Sequence, residues 1–169
     1  YIPRLRKPGI PLSELPQIDI ILISHGDYDH LNLRTLRKLR RAYQSKIVFP
    51  LGLSKYGRRT GFSNISEMNV WNTVEMNNLR VTCVPAKHSN KRLPWDRRST
   101  LACGYVIESG SSAVYFAGDT GYGEHFGEIA KRRPIDVAFL PIGAYKPYEW
   151  FKEIHLNPET AVTAFTDLS

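Results

Sequence analysis

The chain has 169 residues, of which 42% are hydrophobic, and carries a formal charge of +7. That length and apolar content suit one domain with a real core and exclude an intrinsically disordered chain. No apolar run reaches the roughly eighteen residues of a membrane span, and the opening YIPRLRKPG has no apolar stretch of export-signal type, so a cytoplasmic protein is expected. Cys83 and Cys103 lie in strand-like segments as small buried hydrophobes, which also suits a reducing compartment.

In chain order, the first predicted element is a short strand through Ile18 and Ile20–Ile23, whose continuous apolar run reads as buried on both faces. It stops at His25, Asp27, Asp29 and His30, four side chains within six positions that could converge on a zinc-like ion. The plainer reading is a surface turn in which Asp29 caps the following helix. That helix, LNLRTLRKLRRAY, puts Leu33, Leu36, Leu39 and Tyr43 on one stripe. Arg34, Arg37, Lys38, Arg40 and Arg41 fall mostly between them, as a solvated face or as an attractor of anionic headgroups or nucleic acid.

A strand at KIVFP (46–50) is followed by a loop with one helical turn, then by two strands, VWNTVEM and LRVTCVPA, joined at Asn77–Asn78. LACGYVIESGSSAVYFAGD reads as a hairpin turning at residues 108–111, where Gly110 supplies positive φ. GEHFGEIAKRR is a predicted helix, IDVAFLP a buried strand, and NPETAVTAFTDL a helix with Asn157 as N-cap and Pro158 in its first turn. No repeat or linker divides the chain, so residues 1–169 are read as a single domain. Hairpins mixed with helices argue for sheets carrying outer helices rather than a doubly wound parallel sheet.

Three later segments repeat the pattern of an apolar strand that stops at a metal-competent side chain. VTCVPAKHSN offers His88, SAVYFAGDTGYG offers Asp119 after Gly118, and His155 lies downstream of IDVAFLPIGAY. Strand ends that share one edge of a sheet bring such side chains to one place.

His25, Asp27, Asp29 and His30 match the H-x-H-x-D-H motif of the metallo-β-lactamase superfamily except at Asp27, where the pattern has histidine. More narrowly, KPGIPLSELPQIDIILISHGDYDHLN, VPAKHSN with WDRRSTLACGYVI, YFAGDTGYG and IDVAFLPIGAYKPYEWFKEIHLNPETAV resemble the N-acyl-phosphatidylethanolamine-hydrolysing phospholipase D branch and its bacterial relatives. The resemblance implies an α+β, αββα fold: a sandwich of two mixed β-sheets with outer helices and a two-metal centre where the sheets meet. It implies that His25, Asp27 and His88 hold one metal, that Asp29 and His30 hold the other, and that Asp119 bridges them. Asp29 would orient the attacking water, and His155 would assist proton transfer. Tyr122 and Tyr145 would line the mouth.

Two divalent ions, zinc first, are the implied cofactors, with manganese or iron favoured by the extra carboxylate of Asp27. The family's last histidine ligand, in a His-Trp-Gly-Thr-like motif, has no match before Ser169, and family members begin with strands upstream of Tyr1. The expectation is therefore an incomplete domain lacking N-terminal strands and a C-terminal end. The implied reaction releases an N-acylethanolamine and phosphatidic acid from a phospholipid, with peripheral contact to an anionic membrane surface. Alternatives are a general hydrolase of soluble phosphodiesters or lactones, and an inactive truncated domain. A nucleic-acid substrate is not expected, because no aromatic-interleaved basic tract is present.

Overall fold

The computed structural model describes residues 8–90, 92–93 and 100–168; residues 95–99 of the WDRRST segment lie outside them. The first half of the chain alternates strand and helix: β1 (Ile20–Leu22), α1 (Leu33–Ala42), β2 (Lys46–Pro50), α2 (Ser54–Arg58) and β3 (Ile65–Met68). Strands joined through helices pair in parallel, and they do so here in the order β1-β2-β3. In the second half β4 (Thr73–Met76), β5 (Leu79–Pro85), β6 (Cys103–Ser109) and β7 (Ser112–Phe116) pair antiparallel in sequence order, with tight turns between β4 and β5 and between β6 and β7 and a long connection from β5 to β6. After α3 (His125–Arg132), β8 (Val137–Phe139) adds in parallel to β7, and α4 (Tyr148–Phe151) and α5 (Pro158–Leu168) follow.

Three apolar clusters arrange these elements in four layers. Val48 and Met68 of the small sheet meet Val81, Cys83, Cys103 and Tyr105 of the large one, forming the seam between the sheets. Leu36 and Leu39 of α1 and Tyr56 of α2 pack against Ile47 and Phe49 on the outer face of β2. Phe126 and Ile129 of α3 and Ala161, Ala164 and Leu168 of α5 cover Val106, Ala113 and Tyr115. The arrangement is the αββα layering that the resemblance implied. β2 is fully apolar because it has a core on both faces: Ile47, Val48 and Phe49 are completely buried.

Three expectations need correction. Only the five-stranded sheet is mixed; the three-stranded sheet is parallel throughout its described strands. β1 is half-buried rather than buried, because it lies at the edge of its sheet. β8 is an edge strand as well, with Val137 48% and Phe139 60% exposed. The cap of α1 is Asn32, whose Oδ1 accepts the Thr35 amide at 2.9 Å, so the plainer reading of Asp29 as a helix cap does not hold. Asn32→Ala is expected to lower stability by about 1 kcal/mol in denaturant titration, with no change in metal uptake. β3 and α4 carry too little periodicity, at four residues each, to be read from the sequence.

Candidate metal centre

β1, β5 and β7 end at a common rim, and each is followed within a few residues by an imidazole or a carboxylate. His25 follows β1 and is 1% exposed. Its ring lies 4.1 Å from that of His30 and 4.7 Å from that of His88, centroid to centroid. His25 Nε2 stands 4.0 Å from both Asp27 Oδ2 and Asp119 Oδ2. His88 Nε2 is 3.9 Å from Asp27 Oδ2, and His30 Nε2 is 3.2 Å from Asp119 Oδ2. Two groups could therefore hold an ion among the described residues: His25, Asp27 and His88, and His25, His30 and Asp119.

These spacings suit a cation better than they suit hydrogen bonds. Two ligand atoms each about 2.1 Å from a tetrahedral ion lie about 3.4 Å apart, and most of the separations here exceed a hydrogen bond. The second imidazole nitrogens supply a firmer observation. The His88 ring lies with Nδ1 3.1 Å from the Ile154 carbonyl, which can only accept, so Nδ1 carries a proton and Nε2 is the lone-pair nitrogen of the neutral ring. Ser24 Oγ lies 3.0 Å from His25 Nδ1. Both Nε2 atoms are buried without a hydrogen-bond partner. Leaving two buried polar nitrogens unsatisfied costs about 1–3 kcal/mol each, and a divalent ion would satisfy both.

Electrostatics keep His25 and Asp119 in ligand-ready form but not His30. Burial, reinforced by the neighbouring His30 and His88, pushes His25 down to about 3, so it is neutral at physiological pH. Burial opposes ionisation of Asp119, but its hydrogen bond to His30 and the surrounding imidazoles win and lower it to about 2. His30 is the exception: burial opposes its protonation, yet the Asp119 carboxylate and the charges of Asp29 and Asp27 raise its pKa.

The His30–Asp119 pair has a defined pH signature. A raised histidine stabilises the fold below its ordinary value of 6.5, and the gain is lost as pH rises through the raised value; a lowered aspartate contributes above 3.8, and that is lost as pH falls toward 2. Buried His25 and His125, held down to about 3 and about 4, cost stability as pH falls below 6.5, so chelator-treated protein is expected to melt highest between pH 6.5 and the raised value of His30, and Asp119→Asn to flatten the profile. Metal uptake must expel the His30 proton, so affinity should fall as pH falls; calorimetry in buffers of different ionisation enthalpy reads the released proton.

The backbone around the ligands is tied across strands. Gly118, at φ +64°, lets Asp119 turn back toward β1, where the chain passes so close that a Cβ would stand 2.6 Å from Ser24 Cβ. The Lys87 amide donates to Thr120 Oγ1 at 2.9 Å, and the Gly121 amide donates to the Lys87 carbonyl at 3.0 Å. Those bonds fix the segment carrying His88 to the one carrying Asp119. His125, buried beside Thr120 with Nε2 3.2 Å from Oγ1, is pushed down to about 4 by burial and by Lys87, and belongs to neither ligand group.

Not every residue singled out from the sequence arrives at the rim. Asp29 is 82% exposed, 3.7 Å from His30 Nε2, and joins neither ligand group. His155 does arrive: Nδ1 is 3.9 Å from Asp119 Oδ2, and its ring is 5.3 Å from that of His88. Tyr122 stacks on Phe126 and donates its hydroxyl to Asp167 Oδ2 at 2.6 Å, which directs it toward α5. Tyr145 is half-buried and lies under the Lys146 ammonium at 5.8 Å. Sequence reasoning did not single out Ser24, Thr120, Asn90 or Arg92, all buried polar residues adjoining a ligand segment. The only signal was a polar side chain beside a ligand histidine or aspartate, without periodicity to mark it.

Comparison with known proteins agrees with this geometry. The family described as Beta-lactamase superfamily domain matches residues 2–169. An uncharacterized protein of Mycobacterium tuberculosis is 38% identical over 170 residues, covering 98% of this chain and 45% of its own length. The N-acyl-phosphatidylethanolamine-hydrolyzing phospholipase D 1 of Caenorhabditis elegans is 33% identical over 171 residues, covering 94% of this chain and 48% of its own. The chain thus spans about half the length of these relatives. Among solved structures, Igni18, a metallo hydrolase of Ignicoccus hospitalis, superposes with a TM-score of 0.74 at 23% identity, over 95% of this chain and 65% of that one. With a family match along nearly its whole length and the αββα layering in place, the chain belongs to the β-lactamase superfamily.

Proposed function

We propose that this protein is part of a metal-dependent hydrolase that cleaves the phosphodiester of an N-acylated phosphatidylethanolamine. The observation that carries the reading is the pair of buried, unpartnered Nε2 atoms on His25 and His88, facing the carboxylates of Asp27 and Asp119. An imidazole nitrogen has one lone pair, so His25 serves a single ion. His25, Asp27 and His88 would hold one divalent ion. His30 and Asp119 would hold a second, with the exposed carboxylate of Asp29 beside them and Asp119 shared between the two. When bound, such ions supply Lewis acidity toward a phosphoryl oxygen and lower the pKa of a water.

In the reaction a water oxygen adds to phosphorus in line as the bond to the ethanolamine oxygen breaks, leaving phosphatidic acid and an N-acylethanolamine. Asp29 orients the attacking water from the open side of the site. His155 delivers the proton the departing oxygen needs, from a position against Asp119 and His88. His155→Ala is expected to lower kcat about 100-fold while leaving metal content unchanged. Tyr122, whose hydroxyl is held by Asp167 of α5, and Tyr145, beside Lys146, take no part in the chemistry.

Zinc is the first assignment for the ions. Asp27 adds a carboxylate where the family pattern has histidine, which weakens the site's Lewis acidity and favours manganese or iron(II) over what a third imidazole would give. Asp27→His is expected to raise the preference for zinc over manganese and to shift the pH profile of turnover to lower pH. Equal metal preference and an unmoved profile would remove this part of the reading.

A lipid substrate calls for access to a membrane surface. Among the described residues no helix is long and apolar enough to cross a membrane. Arg34, Arg37, Lys38 and Arg41 are exposed on α1, which begins directly after the His30 segment, and they support peripheral contact with anionic headgroups from the cytoplasmic side. Replacing all four by glutamine is expected to abolish sedimentation with phosphatidylglycerol vesicles at low salt. The deciding assay offers the metal-loaded protein N-acyl-phosphatidylethanolamine beside a generic phosphodiester. Release of N-acylethanolamine supports the lipid substrate, and brisk generic cleavage without it replaces the lipid by a soluble phosphodiester.

A further inference from the structure

The turn that carries Asp27, Asp29 and His30 closes on itself at the Asp27 carbonyl. The amides of His30 and Leu31 both donate to the Asp27 carbonyl, at 3.1 and 2.7 Å. The two ends of the turn, Gly26 and Leu31, are held from elsewhere. The Gly26 amide donates to Asn90 Oδ1. The Gly26 carbonyl accepts from Arg92 Nε at 2.7 Å, and the Leu31 carbonyl accepts from the guanidinium of the same arginine.

Arg92 is 8% exposed and Asn90 is 1% exposed, so both are built into the interior beside the turn. The guanidinium also lies 4.2 Å from the centroid of Tyr28, within the turn, and 4.9 Å from that of Tyr56 on α2. It is thus bonded to both ends of the turn and packed against a ring of the turn and a ring of the core. Asn90 and Arg92 follow His88 by two and four residues. One short segment therefore supplies an imidazole to the rim and also fastens the turn that supplies Asp27 and His30.

We propose that Arg92, assisted by Asn90, is a positioning residue of the metal centre: its fork sets the span from Gly26 to Leu31, and hence the spacing of Asp27 and His30 from His25 and His88. The proposal rests on the metal-centre reading. Arginine suits the task because its planar group donates along two directions at once, whereas a lysine ammonium is a single point of charge. A turn that loses one anchor keeps its ligands but holds them over a wider range of separations. Affinity then falls and ligand geometry loosens, the pattern expected when a residue that orients a metal ligand is removed.

The test compares the wild type, Arg92→Lys, Tyr28→Ala and Arg40→Lys for zinc affinity by chelator competition and for the visible absorption of the cobalt(II)-loaded protein. Arg40→Lys is the control, since Arg40 Nε donates to the Gly61 carbonyl at 2.9 Å, away from the turn. Arg92→Lys is expected to bind zinc about 10–100-fold more weakly than wild type and to show altered cobalt bands. Tyr28→Ala, a change at a 57% exposed position, is expected to weaken binding by about 3–10-fold. Arg40→Lys should match the wild type in both readouts. Wild-type affinity and wild-type cobalt bands in Arg92→Lys would overturn the proposal, and if that variant does not fold, the same result in Tyr28→Ala overturns it. A wild type that takes up neither zinc nor cobalt refutes the metal-centre reading itself, a separate outcome from failure of the clamp.

Discussion

Asp119→Ala is expected to cause the largest loss of any single substitution in this protein. Its carboxylate meets three imidazoles at the rim, His25 at 4.0 Å, His30 at 3.2 Å and His155 at 3.9 Å. Removing it takes away an anionic donor and also the partner that raises the pKa of His30. The imidazoles then face one another with less negative charge between them, which opposes cation binding a second time. Metal affinity should fall by at least about 100-fold, and hydrolysis by about 1,000-fold or more. The fold should persist, because Asp119 lies beyond the end of β7 and takes no part in the three apolar clusters. Metal content by mass spectrometry and the circular dichroism spectrum separate these two expectations.

Gly118→Ala is expected to damage fold and centre together. The residue has φ +64°, which costs a side chain about 1–2 kcal/mol, and its Cβ would come 2.6 Å from Ser24 Cβ and 3.3 Å from the Cys103 carbonyl. Relieving that overlap costs about 1–3 kcal/mol more. The site of the clash explains the effect on the metal centre: Ser24 adjoins His25, and Gly118 adjoins Asp119. Any shift that admits the methyl group separates two ligand segments. Thermal denaturation is expected to show a lower Tm in the metal-free protein, and added zinc should restore less of it than in the wild type. Recovery equal to wild type would show that the ligand segments absorb the shift.

The parts of this molecule that were legible in its sequence are those with strong periodicity or unusual chemistry. β2 and α1 were read with their boundaries nearly right, because a run of buried β-formers and a leucine stripe at helical spacing each admit one interpretation. His25, Asp27, His30, His88 and Asp119 stood out because ligand-competent side chains followed apolar strands, and the structure brings these five together. Burial of β1 and β8 was misjudged for a physical reason: an apolar run reports hydrophobicity, whereas burial depends on neighbours in the sheet, and both strands lie at edges. The plainer reading of Asp29 as the cap of α1 fails because Asn32, an equally good N-cap, accepts the Thr35 amide instead. Arg92 was invisible because a buried arginine between two carbonyls looks, in sequence, like one more contributor to a charge of +7.

Anomalous X-ray diffraction from crystals of the zinc-soaked protein tests the central claim most directly. The account expects ordered metal beside Nε2 of both His25 and His88, with Asp27 and Asp119 among the ligands. Ordered zinc bound only at other side chains, with both Nε2 atoms still bare, would contradict it.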